Sequence, residues 1–315
     1  MLAICFDGKV TLRSDHPRPR AARSEVLIAV RKAGICATDL EVARGYMHFR
    51  GVMGHEFVGT VVAGSRPWKG TRVVAEINCL CGRCDMCRSG LGNHCRNRTA
   101  LGIDGRDGAF ADYLTLPVRN LVAVPDDLPD EIAIFTEPLA AACEILQQVH
   151  IRPTDRVVVL GDGRLGLLCA QVVSLTGCDL VIVGHHLEKM YLMAQMGIPV
   201  ALADELVNPG ADVLIEATGN PSGYAAVRRL VRPRGTVVLK STYHGSFDAN
   251  LTTAVVDEVT LVGSRCGPFA PALRLLQRGL VDVKPFITAR YPLIEVMTAL
   301  EHAARPEALK VLVEA

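Results

Sequence analysis

Four cysteines before residue 96 have a spacing that suits a metal ion. Cys81, Cys84, Cys87 and Cys95 form the pattern C-x2-C-x2-C-x7-C. Four thiolates this close together can converge on one tetrahedral zinc, and a full set of protein ligands leaves no position open for a substrate. An iron–sulfur cluster also takes four thiolates, so the spacing leaves that alternative and unmetallated cysteines open. The pattern favours a structural zinc, and nearby Cys79 is not expected to be a ligand.

A glycine-rich turn forms a second motif with its own chemistry. Residues 161–166 read Gly-Asp-Gly-Arg-Leu-Gly, follow the apolar run 157–160 and open an apolar helical stretch at 165–175. A strand before the motif and a helix after it are the context that a dinucleotide-binding turn requires. Its glycines let the backbone approach a pyrophosphate, which rests on the helix N-terminus. We therefore predict that a dinucleotide is bound by Gly161, Gly163, Arg164, Leu165 and Gly166.

Three further residues are weak metal-ligand candidates when each is taken alone. Cys36 precedes the triplet Ala-Thr-Asp, His55 lies in a Gly-His-Glu element, and Glu137 lies in the segment Thr-Glu-Pro-Leu. A lone cysteine or histidine is more often a packed side chain than a metal ligand. These residues gain weight only from their co-occurrence with the cysteine cluster and the glycine turn.

Taken together, the motifs resemble the medium-chain zinc-dependent alcohol dehydrogenase family over the whole chain and in the family's order. The resemblance implies Cys36, His55 and Glu137 as ligands of a catalytic zinc, and hence two zinc ions per chain. The Glu-Pro-Leu triplet is similar to the polyol, threonine and sugar dehydrogenase branch, in which Glu56 is an alternate ligand or lies beside the ligands. One thiolate, one imidazole and one carboxylate leave the fourth position open, the pattern of catalytic zinc.

The same resemblance suggests how a proton leaves the substrate. Thr38 stands two residues after the ligand cysteine, where the family uses a hydroxyl to begin the proton relay. Glu41 stands where many members carry a histidine, so the route could pass through Glu41, through cofactor ribose and water, or not exist. Asp39 stands where the family uses an acid to orient the histidine ligand, and a capping role in a turn is its alternative.

Further cofactor contacts are implied by position in the chain. Thr218, in the segment Glu-Ala-Thr-Gly, resembles a family segment that lines the cofactor cleft. Lys310 stands where members carry a cationic contact to the pyrophosphate, and a solvated lysine is the alternative.

Cofactor preference depends on the end of the strand 180–183. An acid at that end binds the ribose 2′-hydroxyl of NAD, but this chain has Gly184 there, followed by His185 and His186. The histidines could bind a 2′-phosphate, more strongly when protonated. We therefore predict a modest preference for NADP that grows as pH falls; histidines that only cap the next helix, with both cofactors accepted, are the alternative.

The elements that position these residues change character along the chain. Short apolar runs divided by Gly and Pro fill the first third, whereas strands and helices alternate after residue 138. The alternation predicts an α/β fold with a doubly wound parallel sheet of the Rossmann type, and the resemblance implies a GroES-like catalytic domain before it. We place the catalytic domain at 1–138, the dinucleotide domain at 139–269 and a return to the catalytic domain at 270–315. Only 14 residues separate Gly197 from Asp212, so we expect one face of the dinucleotide domain to be thin.

Composition narrows the class of protein. The 315 residues are 50% hydrophobic and carry a net charge of +1, which argues against a nucleic-acid or membrane surface. No apolar run approaches the length of a spanning helix, and the N-terminus does not suit a signal peptide, so we expect a cytoplasmic protein. The expected function is hydride transfer between a small secondary alcohol, polyol or sugar and NAD or NADP, in a homodimer or homotetramer. A non-catalytic zinc- and dinucleotide-binding scaffold or sensor is the alternative.

Overall fold

The computed structural model describes residues 1–205, 210–242 and 250–315. The chain forms two compact units, one of Met1–Glu137 with Phe269–Ala315 and the other of Pro138–Pro268. These bounds lie one residue from the predicted ones.

The strands and helices have the following bounds. The strands are β1 (Ala3–Phe6), β2 (Val10–Arg13), β3 (Glu25–Ile35), β4 (Gly51–Val52), β5 (Glu56–Ala63), β6 (Arg72–Ala75), β7 (Asn78–Cys79), β8 (Thr99–Leu101), β9 (Gly105–Arg106), β10 (Tyr113–Pro117), β11 (Leu121–Ala123), β12 (Arg156–Leu160), β13 (Asp179–Gly184), β14 (Val200–Leu202), β15 (Ala211–Glu216), β16 (Val231–Leu239), β17 (Thr260–Gly263), β18 (Ile287–Pro292) and β19 (Lys310–Glu314). The helices are α1 (Ala37–Ala43), α2 (Asp85–Arg88), α3 (Asp130–Ala133), α4 (Thr136–Gln148), α5 (Arg164–Ser174), α6 (Leu187–Gln195), α7 (Pro221–Leu230), α8 (Thr252–Val256), α9 (Phe269–Gln277) and α10 (Val296–Ala303). Short 3₁₀ turns cover Tyr46–His48, Arg66–Trp68, Gly92–His94, Val118–Asn120, Lys284–Phe286 and Leu293–Glu295.

The first unit is organised around strand β3. Its main sheet has the order β11-β6-β5-β3-β19-β18, and β10 also pairs with β3. Every pairing in this sheet is antiparallel except that of β18 with β19. Strand β19 joins β3 although it lies near the end of the chain, so the C-terminal segment completes the sheet that carries the first motifs.

The second unit is a parallel sheet with the order β14-β13-β12-β15-β16-β17. After the exposed Arg156, the four apolar residues 157–160 of β12 are all buried, as a strand covered on both faces requires. The chain runs outward from β12 through β13 and β14, then crosses to β15 on the other side of β12. This confirms the predicted doubly wound α/β fold, and ligands of such sheets bind at the carboxyl ends of the strands beside the crossover.

The short connection before β15 falls partly outside the described residues. Strand β14 is present, and residues 203–205 that follow it form a turn rather than a helix, while 206–209 are not described. Among the described helices, none is long and apolar enough to cross a membrane.

Candidate active site

Three side chains of the first unit bring metal-binding atoms together. One donor atom from each of Cys36, His55 and Glu56 lies within 4.8 Å of the others. Cys36 directly follows β3 and is the N-cap of α1, while Glu56 begins β5 and His55 directly precedes it. Strands β3 and β5 are paired, with Gly34 opposite Glu56, so the sheet register brings the cysteine to the Gly-His-Glu element.

Asp39 holds two of these residues in place. It is fully buried, its Oδ1 lies 3.1 Å from His55 Nδ1, and its Oδ2 accepts the Cys36 backbone N–H at 2.8 Å. Both predicted roles are therefore present in one carboxylate, since it orients the histidine and caps α1. Burial alone would lower the pKa of His55, but the charge and hydrogen bond of Asp39, with a contribution from Cys36, raise that pKa well above its ordinary value.

Glu56 forms a buried ion pair with Lys310. The lysine Nζ donates to Glu56 Oε2, and both side chains are almost inaccessible to water. The pair crosses β3 at Gly34, where a Cβ atom would meet Glu56 Oε2 at 2.6 Å. The other oxygen, Oε1, is buried without a hydrogen-bond partner among the described residues. An unpartnered carboxylate oxygen beside a thiol and an imidazole is an arrangement that suits a bound cation.

Glu137 lies in the first turn of α4, outside that group of three donors. The pKa of its carboxyl is raised to about 7, chiefly by burial and also by the charges of Glu56 and Asp39, against the opposing charges of His55 and Lys310. The carboxyl is thus close enough to feel the charges of the cluster. Its role as the third zinc ligand stays a prediction.

The proposed relay residues lie on α1. Thr38 Oγ1 is 3.8 Å from Cys36 Sγ, so the hydroxyl lies beside that thiol. Glu41, one turn further, accepts a hydrogen bond from Arg44 at 2.6 Å in a partly exposed ion pair. The helix therefore presents Thr38 to the cluster, whereas the carboxylate of Glu41 is engaged with an arginine.

The four-cysteine lobe is compact. The Sγ atoms of Cys81, Cys84, Cys87 and Cys95 all lie within 4.8 Å of one another. Cys84 Sγ is 3.5 Å from Cys87 Sγ and 3.8 Å from Cys95 Sγ. A tetrahedron with zinc–sulfur bonds of about 2.3 Å has edges of about 3.8 Å. Backbone N–H groups from residues 83 and 84 lower the pKa of Cys81 to about 6, which favours the thiolate that a metal needs.

The fifth cysteine of this region has a different environment. Cys79 is buried on β7, and the Asn120 side-chain amide points at its Sγ from 3.8 Å. It is not part of the four-cysteine group, in agreement with its predicted exclusion.

The glycine turn connects β12 to α5. Gly161 has φ +123°, and a Cβ atom at Gly166 would meet the Gly161 carbonyl oxygen at 1.9 Å, so both positions need glycine for the turn itself. Gly163 is the N-cap of α5 and has open space where its Cβ would lie. The open side of the turn suits the close approach of a phosphate, as the motif predicts. Arg164 and Leu165 begin the helix at the same place and are partly exposed.

An acid from the glycine turn, which the sequence reasoning missed, lies against the end of β13. Asp162, from the glycine turn, accepts the backbone N–H groups of His185 and His186 at 2.7 and 2.6 Å, and its Oδ2 lies 3.0 Å from His186 Nδ1. His186 is the N-cap of α6 but makes no side-chain capping bond. Gly184 lies directly against the Asp162 carboxylate. The available signal was an acidic second residue in a G-x-G-x-x-G turn.

The two remaining predicted cofactor contacts have protein partners. The Thr218 hydroxyl donates to Glu216 Oε1 at 2.5 Å, at the carboxyl end of β15. Lys310 is 1% exposed, so the alternative of a solvated lysine is wrong. Contact of either residue with a cofactor stays a prediction.

Known proteins with the same sequence features identify the class. Residues 22–126 match the alcohol dehydrogenase GroES-like domain, and residues 165–278 match the zinc-binding dehydrogenase family. The chain is 31% identical to a sorbitol dehydrogenase of Halalkalibacterium halodurans over 95% of this chain and 94% of that protein. It is 33% identical to an L-threonine 3-dehydrogenase of Chelativorans sp. over 78% of each chain. A zinc-binding dehydrogenase from Sinorhizobium meliloti 1021, solved with NADP bound, superposes with a TM-score of 0.90 at 27% identity, covering 100% of this chain and 99% of that one.

The fold, the donor cluster and these relatives define a zinc-dependent, nicotinamide-linked oxidoreductase. The chain belongs to the medium-chain zinc-dependent alcohol and polyol dehydrogenase family. The predicted family, fold and enzyme class are confirmed, and the alternative of a non-catalytic scaffold is not favoured.

Proposed function

We propose that this enzyme oxidises the secondary hydroxyl of a polyol, sugar-derived or amino alcohol, or reduces the matching ketone, with a catalytic zinc bound by Cys36 and His55. The observation that carries the proposal is the cluster of one thiol, one imidazole and one carboxylate, in which Asp39 contacts both Cys36 and His55. Glu137 and Glu56 are the two candidates for the carboxylate ligand. The four cysteines of the lobe are proposed to bind a second, structural zinc, because their sulfur separations suit one tetrahedral ion.

Three residues near the proposed zinc, Thr38, Asp39 and Glu41, have separate proposed roles in the reaction. An open zinc site supplies Lewis-acid polarisation of the alcohol oxygen, and a nicotinamide dinucleotide accepts the hydride. Asp39 holds the ring of His55 through Nδ1 and would thereby orient this residue for a bound metal. The 3.8 Å separation of Thr38 Oγ1 from Cys36 Sγ supports a role for Thr38 in relaying the hydroxyl proton. Since Glu41 is paired with Arg44, we propose that the proton then leaves through cofactor ribose or water.

The substrate class rests on the relatives. The curated relatives reported above are named for sorbitol and for L-threonine, two compounds that carry a secondary hydroxyl next to other polar groups. We extend that class, rather than either compound, to this chain. A homodimer or homotetramer in the cytoplasm is proposed with it, and light scattering of the purified protein measures the number of subunits.

The test is a screen for cofactor reduction. The purified enzyme is mixed with NAD or NADP and a panel of polyols, sugars, amino alcohols and simple alcohols, and the absorbance of reduced nicotinamide is followed. We expect turnover with at least one compound of the first three groups, and none in Cys36→Ser. Cys178→Ser is the matched control, because Cys178 is a free cysteine in the second unit. Turnover that survives Cys36→Ser would contradict the proposed zinc site, and activity confined to simple alcohols would contradict the substrate class.

A further inference from the structure

The carboxylate of Asp162 fills the space where a side chain at the end of β13 would begin. A Cβ atom on Gly184 would lie 2.4 Å from Asp162 Oδ2 and 2.6 Å from its Cβ and Cγ atoms. Such separations are far shorter than any van der Waals contact. Glycine at 184 and aspartate at 162 therefore depend on each other, and the pair delivers an acid to the strand end from the glycine turn.

The same carboxylate accepts hydrogen bonds from the backbone donors of the loop after β13. Its Oδ2 accepts both the His185 and His186 backbone N–H groups, and His186 Nδ1 lies 3.2 Å from Oδ1. These are the groups that would otherwise be free to bind a phosphate. An ionised carboxylate has about four acceptor sites, so Oδ1 keeps capacity for one more donor, such as a hydroxyl.

Neighbouring hydrogen-bond donors stabilise the ionised form of Asp162. The side chain is 11% exposed. Burial alone would raise the pKa of its carboxyl, but the bonds from His185 and His186 outweigh burial and hold the pKa below its ordinary value. The group thus stays ionised at neutral pH.

We propose that Asp162 replaces the usual strand-end acid and makes the dinucleotide site selective for NAD over NADP. The inference rests on the proposed dinucleotide site at the glycine turn. In related folds an acid at the end of this strand accepts a hydrogen bond from the ribose 2′-hydroxyl. Here Asp162 accepts that bond, and its negative charge repels a 2′-phosphate. The expectation is the reverse of the NADP preference predicted from Gly184, His185 and His186 alone.

The NADP-bound relative bears on how selectivity arises. That structure has the same fold, so the fold itself admits the phosphorylated cofactor. Selectivity in this chain must then come from local residues. Like charges placed side by side in a binding site repel each other, so a discrimination of at least about tenfold is expected from one carboxylate.

The test measures cofactor binding directly. The dissociation constants of NADH and NADPH are determined by fluorescence titration of the metal-loaded protein. We expect NADH to bind at least about tenfold more tightly than NADPH. Asp162→Asn keeps the shape of the side chain and removes its charge, so the ratio is expected to fall towards one, mainly because NADPH binds more tightly. Asp179→Asn is the control, since Asp179 is an exposed acid at the first residue of β13, the end of that strand opposite to Gly184.

Moving the acid from position 162 to position 184 tests whether its charge, rather than a change in folding, sets the cofactor preference. Gly184→Asp alone is expected to weaken both cofactors, because Asp162 already occupies the space. Combining it with Asp162→Gly returns an acid to the strand end and is expected to restore preference for NADH. Equal or tighter binding of NADPH by the wild-type protein, or an unchanged ratio in Asp162→Asn, would overturn the inference alone. Failure to bind either cofactor would overturn the proposed dinucleotide site as well.

Discussion

Replacing Asp39 with asparagine tests how the catalytic cluster is held together. In the wild-type protein Asp39 Oδ2 accepts the Cys36 N–H at 2.8 Å, while Oδ1 lies 3.1 Å from His55 Nδ1. An asparagine carbonyl can accept the same N–H bond, and this forces its NH2 group towards His55. Two donors then face each other if His55 binds zinc through Nε2, because Nδ1 carries the proton in that tautomer.

The cost follows from the bond that is lost. A hydrogen bond to a charged group contributes about 1.5–3 kcal/mol, and each 1.4 kcal/mol is about a factor of ten in affinity. Asp39→Asn should therefore weaken binding at the catalytic zinc by about 10- to 100-fold, in line with the effect of similar carboxylate–histidine partners. Global stability should change little, because the helix cap is retained.

The assay is competition for zinc with a calibrated chelator, alongside the melting temperature. Asp112→Asn is a matched control, since Asp112 also accepts a backbone N–H, from Leu2 at 2.7 Å, but does not belong to the group of Cys36, His55 and Glu56. Of these two variants, we expect only Asp39→Asn to bind zinc more weakly than the wild type. Unchanged zinc affinity with unchanged kcat/KM would refute the positioning role of Asp39.

Three further outcomes are expected. Cys84→Ser should lose one zinc per chain by elemental analysis and should have a lower Tm, because a structural zinc contributes folding free energy. The control Cys79→Ala should keep the wild-type zinc content. An unchanged zinc content in Cys84→Ser would contradict a structural zinc in the four-cysteine lobe. Thr38→Val should reduce kcat by about 100-fold while Thr38→Ser stays near wild type, and a normal rate in the valine variant would remove the hydroxyl from the relay. Lys310→Met should lower the free energy of unfolding in urea by about 3–5 kcal/mol, because it leaves Glu56 buried without its cation. Adding Glu56→Gln should recover most of that loss. If it does not, the unpaired charge is not the cause.

Local pattern was sufficient to predict much of the fold. The apolar residues 157–160 give a fully buried strand because nothing in them suits a solvent-facing side. Helix α5 was predicted at 165–175 from the apolar run after the glycine turn, and it spans Arg164–Ser174. The short sequence span of the four cysteines likewise predicted that they would meet, as they do.

Contacts between distant residues could not be predicted in the same way. Glu56 and Lys310 are 254 residues apart, and they meet because β5 and β19 both pair with β3. Strand order is not encoded in the periodicity of any single segment. Asp162 was overlooked for a related reason, because its partners at 185 and 186 become neighbours only when β12 and β13 lie side by side.

The most direct test of the account is the zinc content of the wild-type protein and of His55→Ala, measured on matched preparations by elemental analysis. We predict two zinc ions per chain in the wild type and one in the variant, since the four-cysteine lobe keeps its ion. One zinc in the wild type, or an undiminished ratio in His55→Ala, would contradict a catalytic zinc at this cluster.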